Sequence, residues 1–309
     1  MKAKIVILGL GGVGGYYGGM LSRKYRTDED IDIYFVARGA HLEKIKQFGL
    51  TVKTETGTFV TYPTLATNNV EEIGVADYII VTTKSYDLES TMEQIKPCVG
   101  KQTVILPLLN GVDITERIQK ILPQAEVWQG CTYIVGRLIE PGVVESSGNI
   151  HLLYFGYNNK TTDRLLDFEK VLKEAGFDAH FAPNIMSVIW KKFFFISSTA
   201  SLTSYFDVSF GALLEGERKE TLVALLNELL VVAHAEGVEM DETVIDAVIR
   251  QLEELPYHTT SSMHSDFTAH RNTELETLTG IVLRLAEKHN LELPVYTRVY
   301  EALKAKSIS

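Results

Sequence analysis

The sequence predicts an α/β protein in which a doubly wound parallel sheet forms the N-terminal part and an all-helical domain forms the C-terminal part. Short apolar stretches alternate with helical patterns over the first half of the chain, which is typical of βαβ units. After Pro183 the apolar residues recur at helical spacing, with Gly237 ending one leucine-rich helix. We therefore expect two domains, residues 1–183 and residues 184–309, that pack directly and form a cleft.

The first strand runs into a glycine-rich turn. Lys4–Leu8 is a short buried strand, and the eleven residues after it contain seven glycines before a helical pattern continues. In a dinucleotide-binding turn the first glycine allows the tight bend, the second leaves room for a pyrophosphate, and the third lets the helix pack closely. The helix N-terminus then offers unpaired N–H groups to the pyrophosphate. This Rossmann-type fingerprint predicts cofactor contacts at Gly9, Gly11, Gly12, Val13 and Gly14.

The end of the second strand indicates which dinucleotide is bound. Ile31–Val36 is followed by Ala37-Arg38, at the point where an NAD-binding protein usually has Asp or Glu for the ribose 2′-hydroxyl. A guanidinium at Arg38 suits a 2′-phosphate, because it can form charge-assisted, bidentate hydrogen bonds. We therefore expect NADPH (NADP) rather than NADH as the cofactor.

The remaining elements of the first domain follow in order. A helix over 41–48 precedes a small strand pair over 50–53 and 58–62, and buried strands then cover 78–82 and 103–106. Ligands of open α/β sheets bind beyond the carboxyl ends of the strands, so Lys84 and Asn110 are candidate site residues. Asn110-Gly111 is also compatible with a plain turn. The β-rich stretch from 127 to 155 predicts an antiparallel extension of the sheet, followed by one helix and one strand up to Pro183.

Composition limits the function classes. The 309 residues are 45% hydrophobic and 23% charged, with a net charge of −10, which argues against nucleic-acid and anionic-membrane partners. No apolar run approaches the length of a membrane span, so we expect a cytoplasmic protein. Cys98 and Cys131 lie in no metal or redox spacing, and the eight histidines form no ligand motif, so no metal is expected.

The sequence resembles the ketopantoate reductase (2-dehydropantoate 2-reductase) family over essentially its whole length. The resemblance rests on short motifs whose order and spacing together are specific. They are the glycine fingerprint, Val36–Leu42, Val81–Lys84, Leu109–Val112, Gly130–Thr132, Pro141-Gly142, Gly156, Trp190–Phe193, Ser261–Asp266 and Thr273–Glu276. It implies a Rossmann domain followed by a helical domain of the 6-phosphogluconate dehydrogenase type. The implied reaction is the NADPH-dependent reduction of ketopantoate to (R)-pantoate.

Hydride transfer to a ketone builds negative charge on the carbonyl oxygen, so the site needs a proton donor or a cation there. The resemblance assigns that role to Lys192; its neighbour Lys191 is the rival, but it points about 100° away on the helix. The family's acidic site residue falls on Glu274. The resemblance further implies that Asn110 contacts substrate or the nicotinamide ribose, that Lys84 approaches the cofactor, and that Ser262 helps to bind substrate. Asp266 is expected to orient Ser262 or to contact substrate.

One departure from the family leaves the substrate open. The family usually carries asparagines four and eight residues after the catalytic lysine, and here these positions are Ile196 and Ala200. A hydroxyl from residues 197–199 could compensate only if the helix is distorted. A reductase of another 2-keto acid and a non-catalytic NADP-binding sensor are therefore alternatives. The leucine-rich helix over 221–235 could be core or the interface of a homodimer.

Overall fold

The computed structural model describes residues 2–307, apart from the side chains of residues 149 and 150. By its internal contacts the chain divides into two compact units. The first contains Met1–Leu109 and Ile114–Ile185, and the second contains Asn110–Asp113 and Met186–Ser309. The division after Ile185 lies two residues beyond the boundary expected at Pro183, and the loop 110–113 groups with the second unit.

The first unit contains all the strands and five of the helices that the structure describes. The strands are β1 (Ala3–Leu8), β2 (Ile31–Val36), β3 (Leu50–Thr54), β4 (Gly57–Thr61), β5 (Leu65–Thr67), β6 (Ala76–Val81), β7 (Val99–Pro107), β8 (Glu126–Val127), β9 (Gln129–Glu140), β10 (Val143–Gly156) and β11 (Asp178–Phe181). The helices are α1 (Gly12–Lys24), α2 (Gly39–Phe48), α3 (Leu88–Ile95), α4 (Ile114–Ile121) and α5 (Asp163–Glu174).

The six-stranded sheet is parallel and has the order β5-β2-β1-β6-β7-β8. Counted along the chain within this sheet, the order is 3-2-1-4-5-6, which is that of dinucleotide-binding doubly wound sheets. The predicted Rossmann-type fold is confirmed. The strand order reverses beside β1, so the carboxyl ends of β1, β2 and β6 border the crevice where such sheets bind ligands.

The prediction of an antiparallel extension of this sheet is wrong. Strands β9 and β10 do pair antiparallel, but they belong to a separate sheet in which β10 also pairs with β3 and β11. The strand pair β3-β4 is part of this second sheet, and the short strand β5, which the sequence did not reveal, completes the parallel one. Long-range pairing of β10 with β3 leaves no local sequence signal, since residues 143–145 meet residues 51–53.

Helix α1 lies between the two sheets. A Cβ at Gly18 would come within 2.9 Å of Phe35 Cε1 in the parallel sheet, and one at Gly19 within 2.4 Å of Val52 Cγ2 in the second sheet. The glycines on opposite faces of α1 therefore allow both sheets to approach its backbone. This is why the helix tolerates so many residues of low helix propensity.

The second unit is helical, as predicted. Its helices are α6 (Ile185–Phe206, whose first residue still belongs to the first unit), α7 (Gly216–Ala235), α8 (Thr243–Glu254), α9 (Ser262–Thr268), α10 (Ile281–Lys288) and α11 (Pro294–Ser307). A π-helical segment, Glu276–Gly280, leads into α10. The leucine side chains of α7 are buried and form part of this unit's core. Within residues 2–307, none of the helices is both long and apolar enough to cross a membrane.

Candidate active site

The glycine turn has the geometry that a dinucleotide requires. Gly9 ends β1 with φ +95°, a left-handed conformation that favours glycine, and Gly11 precedes the first residue of α1. A Cβ at Gly11 would meet no atom within 4 Å, whereas one at Gly14 would lie 2.0 Å from the Gly9 carbonyl oxygen. Gly11 thus leaves open space at the helix N-terminus, where a pyrophosphate can approach. The residues present fit the cofactor.

Gly12 has a further reason to be glycine. A Cβ there would lie 2.1 Å from the carbonyl of Gly136 in β9, so this close contact between two backbones excludes any side chain. Its N–H and that of Val13 lie in the first turn of α1, where backbone N–H groups have no partner within the helix. Both residues remain predicted cofactor contacts.

Arg38 lies at the start of α2 and extends into solvent. Its side chain is 87% exposed, and its Nη2 lies 3.3 Å from Asp87 Oδ2. Asp87 follows β6, so the two side chains meet from the ends of two strands that flank β1. Lys84, also beyond β6, is exposed at the same edge of the sheet. The sequence analysis missed Asp87, although its position at a strand's carboxyl end was a usable signal.

Lys192 and Asn110 are in direct contact in the second unit. The Lys192 ammonium donates a hydrogen bond of 2.8 Å to Asn110 Oδ1, and both side chains are half-buried. An amide oxygen in this position fixes the direction of the ammonium group without neutralising its charge. Lys191 is exposed, as its position on the helix predicts.

The loop that carries Asn110 is held by Arg284, which the sequence analysis also missed. Arg284 Nη2 lies 3.8 Å from Asp113 Oδ2, and Arg284 donates hydrogen bonds to the side chain and the carbonyl of Glu276. Arg284 therefore ties the Asn110 loop to the π-helical segment that follows Glu274. Nothing in the local sequence distinguishes Arg284 from an ordinary surface arginine.

Glu274 is a buried carboxyl group, 8% exposed, just before the π-helical segment. Two contacts align that segment with α6: Ser197 Oγ donates to the Leu278 carbonyl, and Ser201 Oγ meets Thr279 Oγ1 at 2.7 Å. Glu274 lies about one turn before Leu278, and Lys192 lies just over one turn before Ser197. Glu274 therefore lies just before a segment that is fixed against α6, the helix that carries Lys192.

The helix face beyond Lys192 is apolar. Ile196 is half-buried against the helical core and Ala200 is buried. The hydroxyl groups of residues 197–199 do not replace the missing amides, because each is buried and bonded within the unit: Ser197 to Leu278 and Tyr296, Ser198 to Phe194, and Thr199 to Phe195. Apolar side chains therefore occupy both positions at which the family carries amides.

Ser262 and Asp266 lie on α9, farther along the unit. Ser261, not Ser262, caps α9, and its hydroxyl group contacts Thr203 Oγ1 at 2.8 Å. Thr203 is eleven residues after Lys192 on α6, a distance of about 16 Å along the axis. Ser262 is exposed, and Asp266 Oδ1 lies 3.5 Å from Arg271 Nε. The roles of Ser262 and Asp266 in substrate binding stay predictions.

Neither unit shows a metal site in its described part. Across residues 2–307, no three histidine, cysteine, aspartate or glutamate side chains gather as metal ligands would. Cys98 and Cys131 are buried, and neither forms a disulfide bond within the described residues.

Two family models match the chain in succession. Residues 5–160 match "Ketopantoate reductase PanE/ApbA", and residues 184–307 match "Ketopantoate reductase PanE/ApbA C terminal". The uncharacterized oxidoreductase YkpB of Bacillus subtilis is 30% identical over 303 residues, which cover 97% of this chain and 98% of YkpB.

Solved structures agree with the family models. The 2-dehydropantoate 2-reductase of Porphyromonas gingivalis is 38% identical, with a TM-score of 0.86 over 98% of this chain and 99% of that one. A D-mandelate dehydrogenase with NADH and anilino(oxo)acetate is 25% identical, with a TM-score of 0.86 over 98% of both chains. Relatives of this fold thus differ in substrate. The chain belongs to the ketopantoate reductase family and is a 2-keto acid reductase that uses a nicotinamide dinucleotide.

Proposed function

We propose that the protein reduces 2-dehydropantoate to (R)-pantoate with NADPH, as a cytoplasmic step towards pantothenate and coenzyme A. The observation that carries the proposal is the half-buried Lys192 ammonium, oriented by Asn110 in a chain that matches both ketopantoate reductase models. The 38% identity to the Porphyromonas gingivalis enzyme supports the substrate. Arg38 supports NADPH, because its exposed guanidinium can bind a 2′-phosphate.

The proposed chemistry divides between the two units. When bound at the glycine turn, the nicotinamide cofactor supplies a hydride to the carbonyl carbon of the keto acid. Negative charge then develops on the carbonyl oxygen, and Lys192 Nζ stabilises it and donates a proton to it. Asn110 Oδ1 holds the lysine in the required direction. Glu274, a buried carboxyl group, is assigned the role of orienting Lys192 or holding the substrate hydroxyl group.

A second candidate substrate is a 2-keto acid with an apolar side chain. Ile196 and Ala200 present methyl groups where the family has amides, and a site without these amides discriminates less against a substrate that lacks a hydroxyl group. The D-mandelate dehydrogenase relative is known with an aromatic keto-acid analogue, anilino(oxo)acetate. A non-catalytic NADP sensor is less well supported, since it has no use for a lysine oriented by Asn110.

The test is NADPH oxidation, followed by absorbance, with the purified protein and a panel of 2-keto acids. The panel contains ketopantoate, an aliphatic keto acid without a hydroxyl group, and phenylglyoxylate, each also measured with NADH. The proposal expects ketopantoate to have the highest kcat/KM. A higher kcat/KM for phenylglyoxylate would replace ketopantoate with an apolar substrate, and cofactor binding without turnover would favour the sensor.

A further inference from the structure

An acidic side chain lies within reach of the group that we expect to bind the 2′-phosphate. Asp87 Oδ2 is 3.3 Å from Arg38 Nη2, and the Asp87 side chain is 37% exposed. Its backbone is well fixed: its N–H donates to the Lys84 carbonyl, and its own carbonyl accepts from Ser90 Oγ and Thr91 Oγ1. The backbone that carries the carboxylate is therefore held in place at this edge of the sheet.

This pair lies where the adenosine half of a dinucleotide binds in such sheets. Arg38 follows β2 and Asp87 follows β6, and both strands pair with β1, whose end carries Gly9. The ribose next to the adenine is read at the end of the strand after the glycine turn. Asp87 approaches the same position from the other side, so the ribose 2′-position has a cation and an anion beside it.

The carboxylate weakens the binding of a 2′-phosphate. A phosphate oxygen that accepts a hydrogen bond of about 2.8 Å from Arg38 Nη2 in its present position lies within about 6 Å of Asp87 Oδ2. Like charges at this distance near a protein surface repel enough to lower affinity about three- to tenfold. The exposed ion pair itself is weak, so Arg38 remains able to turn towards a phosphate.

The same carboxylate suits a ribose that has a free 2′-hydroxyl group. A hydroxyl group can donate a hydrogen bond to Asp87, which is the contact that Asp or Glu makes in NAD-binding proteins. Arg38 then helps to hold the Asp87 side chain in place as its ion-pair partner. NADH therefore gains a hydrogen bond to Asp87, the same residue that repels the 2′-phosphate of NADPH.

We propose that Asp87 is a specificity-determining residue that reduces the preference for NADPH over NADH, so that the enzyme uses both cofactors. The inference rests on the proposed function only in that a nicotinamide dinucleotide binds at the glycine turn. It does not depend on which keto acid is reduced.

The test is Asp87→Asn, with NADH and NADPH dissociation constants measured by the fluorescence of the reduced nicotinamide. Asparagine keeps an oxygen for Arg38 but removes the charge. The Kd for NADPH should fall about three- to tenfold, and the Kd for NADH should stay equal or rise. Because each variant is compared with itself, the ratio of the two constants is insensitive to a partial loss of folded protein.

Asp167→Asn is the matched control, since it removes one negative charge from an exposed position on α5. Both dissociation constants should stay within about twofold of the parent values. The proposal is overturned if Asp87→Asn leaves the ratio of the constants within that range. If Asp87→Asn changes the ratio of the two dissociation constants but the protein does not reduce ketopantoate, the proposed function fails and this inference stands.

Discussion

At the scale of single residues, the proposed proton transfer depends on how Lys192 is held. Its ammonium donates to Asn110 Oδ1, and Asn110 lies on a loop that Arg284 connects to the segment after Glu274. A lysine on a helix surface samples many rotamers, and fixing its direction before the reaction lowers the barrier for proton transfer. Lys192 could be identified by resemblance, whereas Arg284 and Asp87 became visible only when the chain was folded.

Asn110→Ala tests this arrangement. Loss of a hydrogen bond to a charged group should lower kcat/KM about 10- to 100-fold, while the Kd for NADPH changes much less. Steady-state kinetics and a fluorescence titration measure the two effects. Asn227→Ala, which truncates an exposed asparagine on α7, is the control and should leave both values unchanged. Equal kinetics for the two variants would remove Asn110 from the mechanism.

At the scale of elements, α1 must both begin at the cofactor-binding turn and pack against two sheets. The sequence shows these requirements only in part. The glycine fingerprint predicts the turn and the close approach of Gly14, because both are local properties of a strand followed by a helix. It does not predict why Gly12, Gly15 and Gly19 are glycines, since their reasons lie in a second sheet. That sheet forms by pairing residues about 90 positions apart, as the register of Val144 with Val52 shows.

Two alanine substitutions separate binding from packing in α1. Gly11→Ala should keep the free energy of unfolding, because φ is −69° and no atom lies within 4 Å of the new Cβ, yet the methyl group should weaken NADPH binding about tenfold or more. Gly14→Ala should lower the free energy of unfolding by about 1–3 kcal/mol or more, since its Cβ meets a carbonyl oxygen. Thermal melting measures the stability of each variant, and NADPH titration measures its affinity for the cofactor. An equal loss of stability in the two variants would refute the assignment of Gly11 to binding and Gly14 to packing.

The start of α2 carries a pH-dependent contact. His41 Nδ1 accepts the N–H of Gly142 at 2.8 Å, and burial lowers the pKa of His41 below its ordinary value of 6.5. The folded state therefore resists protonation at a pH where the unfolded chain accepts it. The stabilisation is complete above pH 6.5 and is lost as the pH falls from there towards the lower pKa of the folded state.

His41→Gln should flatten this dependence, because the glutamine oxygen can accept the same N–H but does not titrate in this range. Thermal melting between about pH 7.5 and pH 5.5 measures it. His258→Gln, at an exposed histidine, should keep the acid sensitivity of the parent. If the parent and His41→Gln lose stability equally on acidification, His41 is not the group responsible.

At the scale of the whole molecule, fold class and family could be predicted from the sequence, and the substrate could not. The fold class and the family follow from the alternation of strands and helices and from the order of the motifs. Substrate choice depends on a few side chains such as Ile196 and Ala200, whose effect is a difference in binding energy rather than a pattern. The homodimer and the cleft between the two domains stay predictions, and sedimentation with and without NADPH would test the first.

The most direct measurement is kcat for Lys192→Ala beside Lys191→Ala, with NADPH and whichever keto acid of the panel the parent protein reduces best. Removal of a positioned proton donor should lower kcat about 100-fold or more, with the Kd for NADPH nearly intact. Lys191→Ala, at the neighbouring exposed lysine, should keep kcat within about twofold of the parent value. Full activity of Lys192→Ala, or an equal loss in both variants, would contradict the assignment of Lys192 as the proton donor.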